Sequence, residues 1–141
     1  MSAPDVLVDT SAAVALCVAD HARHETTADA LRGRRLGLAG HAAFETFSVL
    51  TRLPPPARRA PSVVARLLAV NFPASRFLSP SGAQALLEQL AEGEIAGGAI
   101  YDALVGAAAR EHRLPLVTHD RRALETYRAL EVDVKLMSDA I

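Results

Sequence analysis

Short apolar runs alternate with longer amphipathic ones along this chain. Residues 6–8 (VLV) are apolar and mostly β-branched, the pattern of a strand buried on both faces of a parallel sheet. Residues 11–18 (SAAVALCV) predict a helix, with Thr10 placed to cap it. After the polar break DHARHE, residues 26–33 (TTADALRG) read as a short helix that Gly33 ends. Residues 36–39 are a second short strand. In 41–53 (HAAFETFSVLTRL) apolar side chains at 43, 47 and 50 share one helical face. The following PPPARRAP (54–61) must stop that helix, because proline removes a donor and clashes with the preceding turn. It reads as a surface loop or hinge, too short to link two domains. Residues 62–70 give another amphipathic helix, 75–80 a short strand or extended piece, and 81–94 a helix. Gly97 and Gly98 break the chain before 99–112, a helix apolar on nearly every side until Arg110. Residues 114–120 (LPLVTHD) repeat the opening pattern of apolar strand, hydroxyl and aspartate. Residues 121–130 form the last helix and 132–136 the last strand. Strands alternating with helices predict an α/β sandwich with a mostly parallel sheet.

Composition narrows the class without naming it. At 141 residues the chain has the size of one domain, 1–141, and half of it is apolar, enough to bury a core and to exclude disorder. A net charge of −1 carries no global basic field, yet a nucleic-acid enzyme needs only a local basic patch. Cys17 is the single cysteine, so an intramolecular disulfide is excluded, in keeping with a reducing compartment. No signal-like apolar segment opens the chain and no apolar run is long enough to span a bilayer, so the expected setting is soluble and cytoplasmic.

The candidate chemistry lies in the carboxylates. In open α/β sheets, ligands bind beyond the carboxyl ends of the strands. Asp9 and Asp120 each follow an apolar strand directly. If those strands are parallel neighbours, strand spacing alone puts the two carboxylates about 5–10 Å apart. Either residue could equally serve as a helix cap, and the two duties are compatible. Asp102 lies in the first turn of its helix, where its surface neighbours are Val105, Gly106 and Ala109. None of these pairs with a charge, and an ionised carboxylate against an apolar wall is costly unless paired or metal-bound. Glu45 borders its helix's apolar stripe and by periodicity alone reads as an ordinary surface glutamate. Carboxylates clustered with little thiol or imidazole support favour the hard cations Mg²⁺ and Mn²⁺.

The stretches VLVDTSA, AFETF, GGAIYDALVGAAA and LVTHDRRAL together resemble the PIN-domain nucleases, most of all the VapC toxins of bacterial toxin–antitoxin pairs. The resemblance runs from residue 6 to about 136 and implies a PIN-like three-layer α/β/α sandwich. By this likeness Asp9 matches the first acidic ligand, with Thr10 and Ser11 shaping the turn that aims it, Ser11 as supporting hydroxyl. Glu45 matches the helix-borne glutamate, Asp102 the aspartate after the Gly-Gly turn, and Asp120 the aspartate ending T-x-D, with Thr118 its hydroxyl partner. The activity so implied is endoribonuclease cleavage of single-stranded or loop RNA, with Mg²⁺ or Mn²⁺ held mainly by Asp9, Asp102 and Asp120. Glu45 would orient a water or second ion. A metal-activated water would attack in line and leave a 5′-phosphate and a 3′-hydroxyl. A homodimer and inhibition by a cognate VapB-like antitoxin are implied too, with the 41–70 helices as the candidate antitoxin groove.

RNA must also be gripped. Arg52, Arg58 and Arg59, and His119, Arg121 and Arg122 beside Asp120, are the candidates, against the plain alternative of solvated surface arginines. With no Trp and two Tyr, extensive base stacking is not expected. Cys17, His21 and His24 have a spacing that suggests zinc but lack a fourth ligand, and His41 and His112 read as surface residues. A haloacid-dehalogenase-like phosphatase would need a second aspartate at position 11, which is Ser11. A nucleotide-binding loop would need glycines after the first strand, and DTSAAVA has none. The alternative that stands is a catalytically silent PIN-like binding domain.

Overall fold

A computed structural model of the protein describes residues 3–137. Strands β1 (Val6–Val8), β2 (Leu36–Leu38), β3 (Leu116–Thr118) and β4 (Val134–Leu136) form a parallel sheet in the order β2-β1-β3-β4. Val8 pairs with Leu38 on one side and with Val117 on the other. The chain therefore leaves β1 toward one edge of the sheet and returns on its other flank. That makes the carboxyl ends of β1 and β3 a topological switch point, where such sheets open a crevice.

The helices are α1 (Thr10–Cys17), α2 (His24–Ala30), α3 (Ala42–Thr51), α4 (Pro61–Asn71), α5 (Pro80–Glu92), α6 (Ala99–Glu111) and α7 (Leu124–Ala129), with a 3-10 turn at Arg121–Ala123. Side chains alternate across the sheet, so each strand feeds two cores. Leu7 and Leu116 pack with Leu86 of α5, Ala107 of α6 and Tyr127 of α7. Val8 and Val117 pack on the opposite face with Ala12 of α1, Leu50 of α3 and Val64 of α4. Helices thus cover both faces and the expected three-layer α/β/α sandwich is present. Double burial is why the strands read as unbroken apolar runs. Ala12, Ala13 and Ala15 of α1 and Ala103, Ala107, Ala108 and Ala109 of α6 are fully buried and let both helices lie close to the sheet.

Several element boundaries differ from those the sequence suggests. Asp9, not Thr10, caps α1, its side chain accepting a hydrogen bond from the Ala12 amide. The second helix begins at His24 and its cap is Leu31; Gly33 lies in the turn beyond, at φ +77°. Residues 75–80 form no strand, only a single parallel bridge from Arg76 to Ala39. Residues 121–130 divide into the 3-10 turn and α7, because Asp120 caps the turn by accepting from the Arg122 amide. Among the described residues, no helix is long and apolar enough to cross a membrane.

Leu7 is fully buried at the centre of the sheet. Replacing it with alanine deletes packing that rigid neighbours refill only in part. Leu7→Ala is expected to lower unfolding free energy by about 2–5 kcal/mol, read from urea denaturation.

Candidate active site

The end of β1 delivers Asp9 into a nearly closed position, 4% exposed. A buried carboxylate needs donors, and this one has four. Ser11 Oγ donates to Oδ1 at 2.6 Å and the Ala12 amide to the same oxygen at 3.2 Å. Thr118 Oγ1 donates to Oδ2 at 2.5 Å and the Tyr127 hydroxyl at 2.9 Å. The first two hydroxyls also act as acceptors. Ser11 Oγ takes the His119 amide at 2.9 Å, and Thr118 Oγ1 takes the Asp120 amide at 2.9 Å. Asp9 is thereby stitched to the loop that follows β3, across 109 residues of sequence. Ser11 and Thr118 each donate to one oxygen of Asp9. Tyr127 was not foreseen: a lone tyrosine in a short amphipathic helix reads as core, and nothing in its spacing points to a carboxylate.

A cleft of about 940 Å³ is lined by Glu45, Asp102 and Asp120 and by Arg52 and Arg122, with Asp9 buried behind it, near enough for its charge to act on Asp102. Gly97, at φ +61°, supplies the left-handed turn that starts α6 and brings Asp102 to this edge. The apolar wall behind Asp102 is real, since Val105, Gly106 and Ala109 are all buried. Burial, then the charges of Asp120, Glu45 and Asp9, push the Asp102 carboxyl up to about 6, with Arg122 opposing. Glu45 is not the plain surface residue that periodicity suggests. Thr10 Oγ1 donates to its Oε2 at 3.3 Å, and His41 Nε2 stands 3.6 Å from its Oε1. His41 also belongs to the cleft, its ring stacked on Tyr101 at 5.3 Å. The Tyr127 phenol is raised far above its ordinary range by burial first and the Asp9 charge second, so it remains a donor.

The basic candidates separate. Arg52 and Arg122 line the cleft, and Arg122 Nε lies 3.4 Å from Asp120 Oδ1. Arg121 is exposed beside them. Arg58 turns back to the Leu53 carbonyl at 2.8 Å, and Arg59 lies near Cys17; neither borders the acidic cleft. His119 is a correction to the sequence reading. It is 9% exposed, and its Nε2 is 2.8 Å from Thr27 Oγ1, so it faces the interior and not a phosphate. The aromatic expectation also shifts, because His41 and Tyr101 gather at the cleft.

Among the described residues, no three histidine, cysteine or acidic side chains form a ready-made metal cage. For Cys17, His21 and His24 this agrees with their local bonds. Burial pushes the Cys17 thiol up to about 11, and His24 Nδ1 lies 2.9 Å from the Ala15 carbonyl. At the cleft the donors are hard oxygens set apart around open space. Mg²⁺ is held in just this manner, by one or two carboxylates with several retained waters. The mutual repulsion that raises Asp102 is charge a cation would relieve. The residues present fit a divalent cation.

Fold and site together define a parallel α/β protein with an acidic cleft at its switch point. The chain belongs to the PIN-domain family, whose model matches residues 6–129. It is 47% identical over 131 residues to a Mycobacterium tuberculosis protein named ribonuclease VapC27, covering 93% of this chain and 96% of that one. Its fold is similar to the crystal structure of Mycobacterium tuberculosis VapC20, a sarcin–ricin loop cleaving toxin, with a TM-score of 0.65 at 21% identity over 91% of this chain and 96% of that one. It is also similar to VapBC-5 of Mycobacterium tuberculosis, a member of the VapBC family of toxin–antitoxin systems, with a TM-score of 0.56 at 19% identity, covering 94% of this chain and 97% of the other.

The raised Asp102 carboxyl makes a testable pH dependence. It binds its proton more tightly folded than unfolded, so its penalty is absent below pH 3.8 and complete above about 6. Stability from this group therefore falls as pH rises through that window. In metal-free protein, the melting temperature of Asp102→Asn relative to wild type is expected to rise between pH 4 and pH 7. A difference independent of pH would contradict it.

Proposed function

We propose that this protein is a VapC-type endoribonuclease toxin, dependent on Mg²⁺ or Mn²⁺, cytoplasmic, and held inactive by a cognate VapB-like antitoxin. The observation that carries the reading is the cleft lined by Glu45, Asp102 and Asp120 in front of buried Asp9, with Asp102 raised to about 6 by burial and then by its acidic neighbours. The 47% identity to a protein named as a ribonuclease supports it.

Asp9, Asp102 and Asp120 would hold the cation, with Glu45 toward a water or second ion. When bound, the ion acidifies a water and offsets charge on the phosphodiester. The chain's own groups prepare that reaction. Four donors fix the Asp9 carboxylate, so its orientation is set before substrate arrives. Thr10 and His41 hold Glu45 from opposite oxygens. Arg52 and Arg122 supply positive charge in a cleft otherwise dominated by acids, where an RNA backbone would lie. Stacked His41 and Tyr101 give an unpaired base a flat neighbour, which favours single-stranded or loop RNA.

For the antitoxin, the exposed apolar side chains of Phe44 on α3 and Val63 and Val70 on α4 support a docking groove on the 41–70 helices. Homodimerisation belongs to the same reading. Phe44 and Phe77, 65% and 51% exposed with rings 6.2 Å apart, are apolar surface available to it.

Asp9→Asn replaces an acceptor oxygen with an amide donor inside a ring of donors, so it perturbs folding as well as chemistry. Asp102→Asn is the cleaner test. It is expected to cut RNA cleavage by at least about 100-fold while leaving the fold intact. EDTA should abolish wild-type cleavage, and added Mg²⁺ or Mn²⁺ should restore it. Full activity of Asp102→Asn would overturn catalysis at this cleft, and a wild-type protein that cleaves no RNA with Mg²⁺ or Mn²⁺ present would favour the silent binding domain. Separately, Arg52→Ala or Arg122→Ala should weaken RNA binding and flatten its log–log salt slope by about 0.7 each.

A further inference from the structure

Tyr127 approaches Asp9 from α7, outside both strand ends, and its ring is 1% exposed. Its place depends on Gly106 of α6. A Cβ at position 106 would stand 3.0 Å from Tyr127 Cδ1 and 3.1 Å from Val132 Cγ2, so the bare glycine admits the ring. Packing alone does not explain the hydroxyl. Phenylalanine would fill the same volume without burying a polar group that needs a partner. The partner here is Asp9 Oδ2, at 2.9 Å.

A carboxylate offers about four lone-pair sites. Ser11 and the Ala12 amide serve Oδ1, and Thr118 and Tyr127 serve Oδ2. Ser11 Oγ also lies 3.4 Å from Thr118 Oγ1, so its proton can turn there and open one Oδ1 site to a cation. Ser11, Ala12 and Thr118 all sit within a few residues of a strand end, and two of them are fixed by amides of the β3 loop. Tyr127 comes from a third element, α7, where it packs against Gly106 and Val132, and fixes Oδ2 from there.

We infer that Tyr127 is a positioning residue for Asp9, its hydroxyl setting the orientation in which that carboxylate meets a divalent cation. This rests on the reading of the cleft as a cation site. Hydrogen-bond partners of ligating carboxylates commonly account for 10–100-fold in metal affinity or activity. The test is Mn²⁺ titration by calorimetry on the full chain, comparing wild type, Tyr127→Phe and Asp102→Asn, with metal-free melting and RNA-cleavage kinetics alongside. Tyr127→Phe should bind Mn²⁺ about tenfold more weakly and lose kcat with KM for RNA unchanged. Wild-type Mn²⁺ affinity in Tyr127→Phe, with Asp102→Asn impaired, overturns the role of Tyr127 alone, even if melting falls. Equal affinity in wild type and Asp102→Asn overturns the cation reading as well. Should Tyr127→Phe fail to fold, Gly106→Ala keeps the hydroxyl and displaces the ring. A loss of threefold or more in Mn²⁺ affinity then supports the inference, and an unchanged affinity overturns it.

Discussion

A charge buried at the end of the central strand is the constraint around which this molecule is organised. Asp9 is shielded from water, and a carboxylate so placed is tolerated only with its lone pairs satisfied. Its donors come from α1, from the end of β3 and from α7. Satisfying one side chain therefore fixes the relation of three elements that lie far apart in sequence. The sheet itself is slight, with strands of three residues each, and the polar knot at its carboxyl edge adds a specific register to what apolar packing alone would leave loosely defined.

The acidic groups divide into two kinds. Asp9 is compensated by neutral donors and belongs as much to the fold as to the site. Asp102 has an apolar wall behind it and three carboxylates near it, and its proton affinity rises accordingly. Glu45 and Asp120 lie between these limits, each with a partial partner in His41 or Arg122. Together they provide one carboxylate held rigidly by neutral donors and several whose charges crowd one cleft.

How far the sequence discloses this depends on whether a residue's partners are local. The strands were readable because burial on both faces leaves a continuous apolar run, and because β1 and β3 repeat one pattern of hydroxyl and aspartate. Asp102 was readable because its own helix provides no partner. Glu45 was not readable by periodicity, since its partners Thr10 and His41 meet only when α1 and α3 pack together. Tyr127 left no trace, because a phenol that serves a carboxylate 118 residues away looks like any core aromatic. His119, adjacent to Asp120, read as exposed; its inward turn depends on Thr27 of α2, which no local pattern reveals. Of the two readings for 75–80, a short strand or an extended piece, the second holds. Arg76 makes one bridge to Ala39, and the chain then moves away from the sheet.

The division between Asp9 and the other acids bears on how such a chain would change under selection. A cell harmed by this protein gains from any mutation that silences it. Under the proposed function, loss at Asp9 would untie the strand ends and expose the chain to proteolysis, together with any antitoxin-binding surface. Loss at Asp102 or Glu45 would leave the scaffold standing as an inert product that still occupies its partner. The two routes to harmlessness thus have opposite effects on the supply of free antitoxin: one releases it and the other sequesters it.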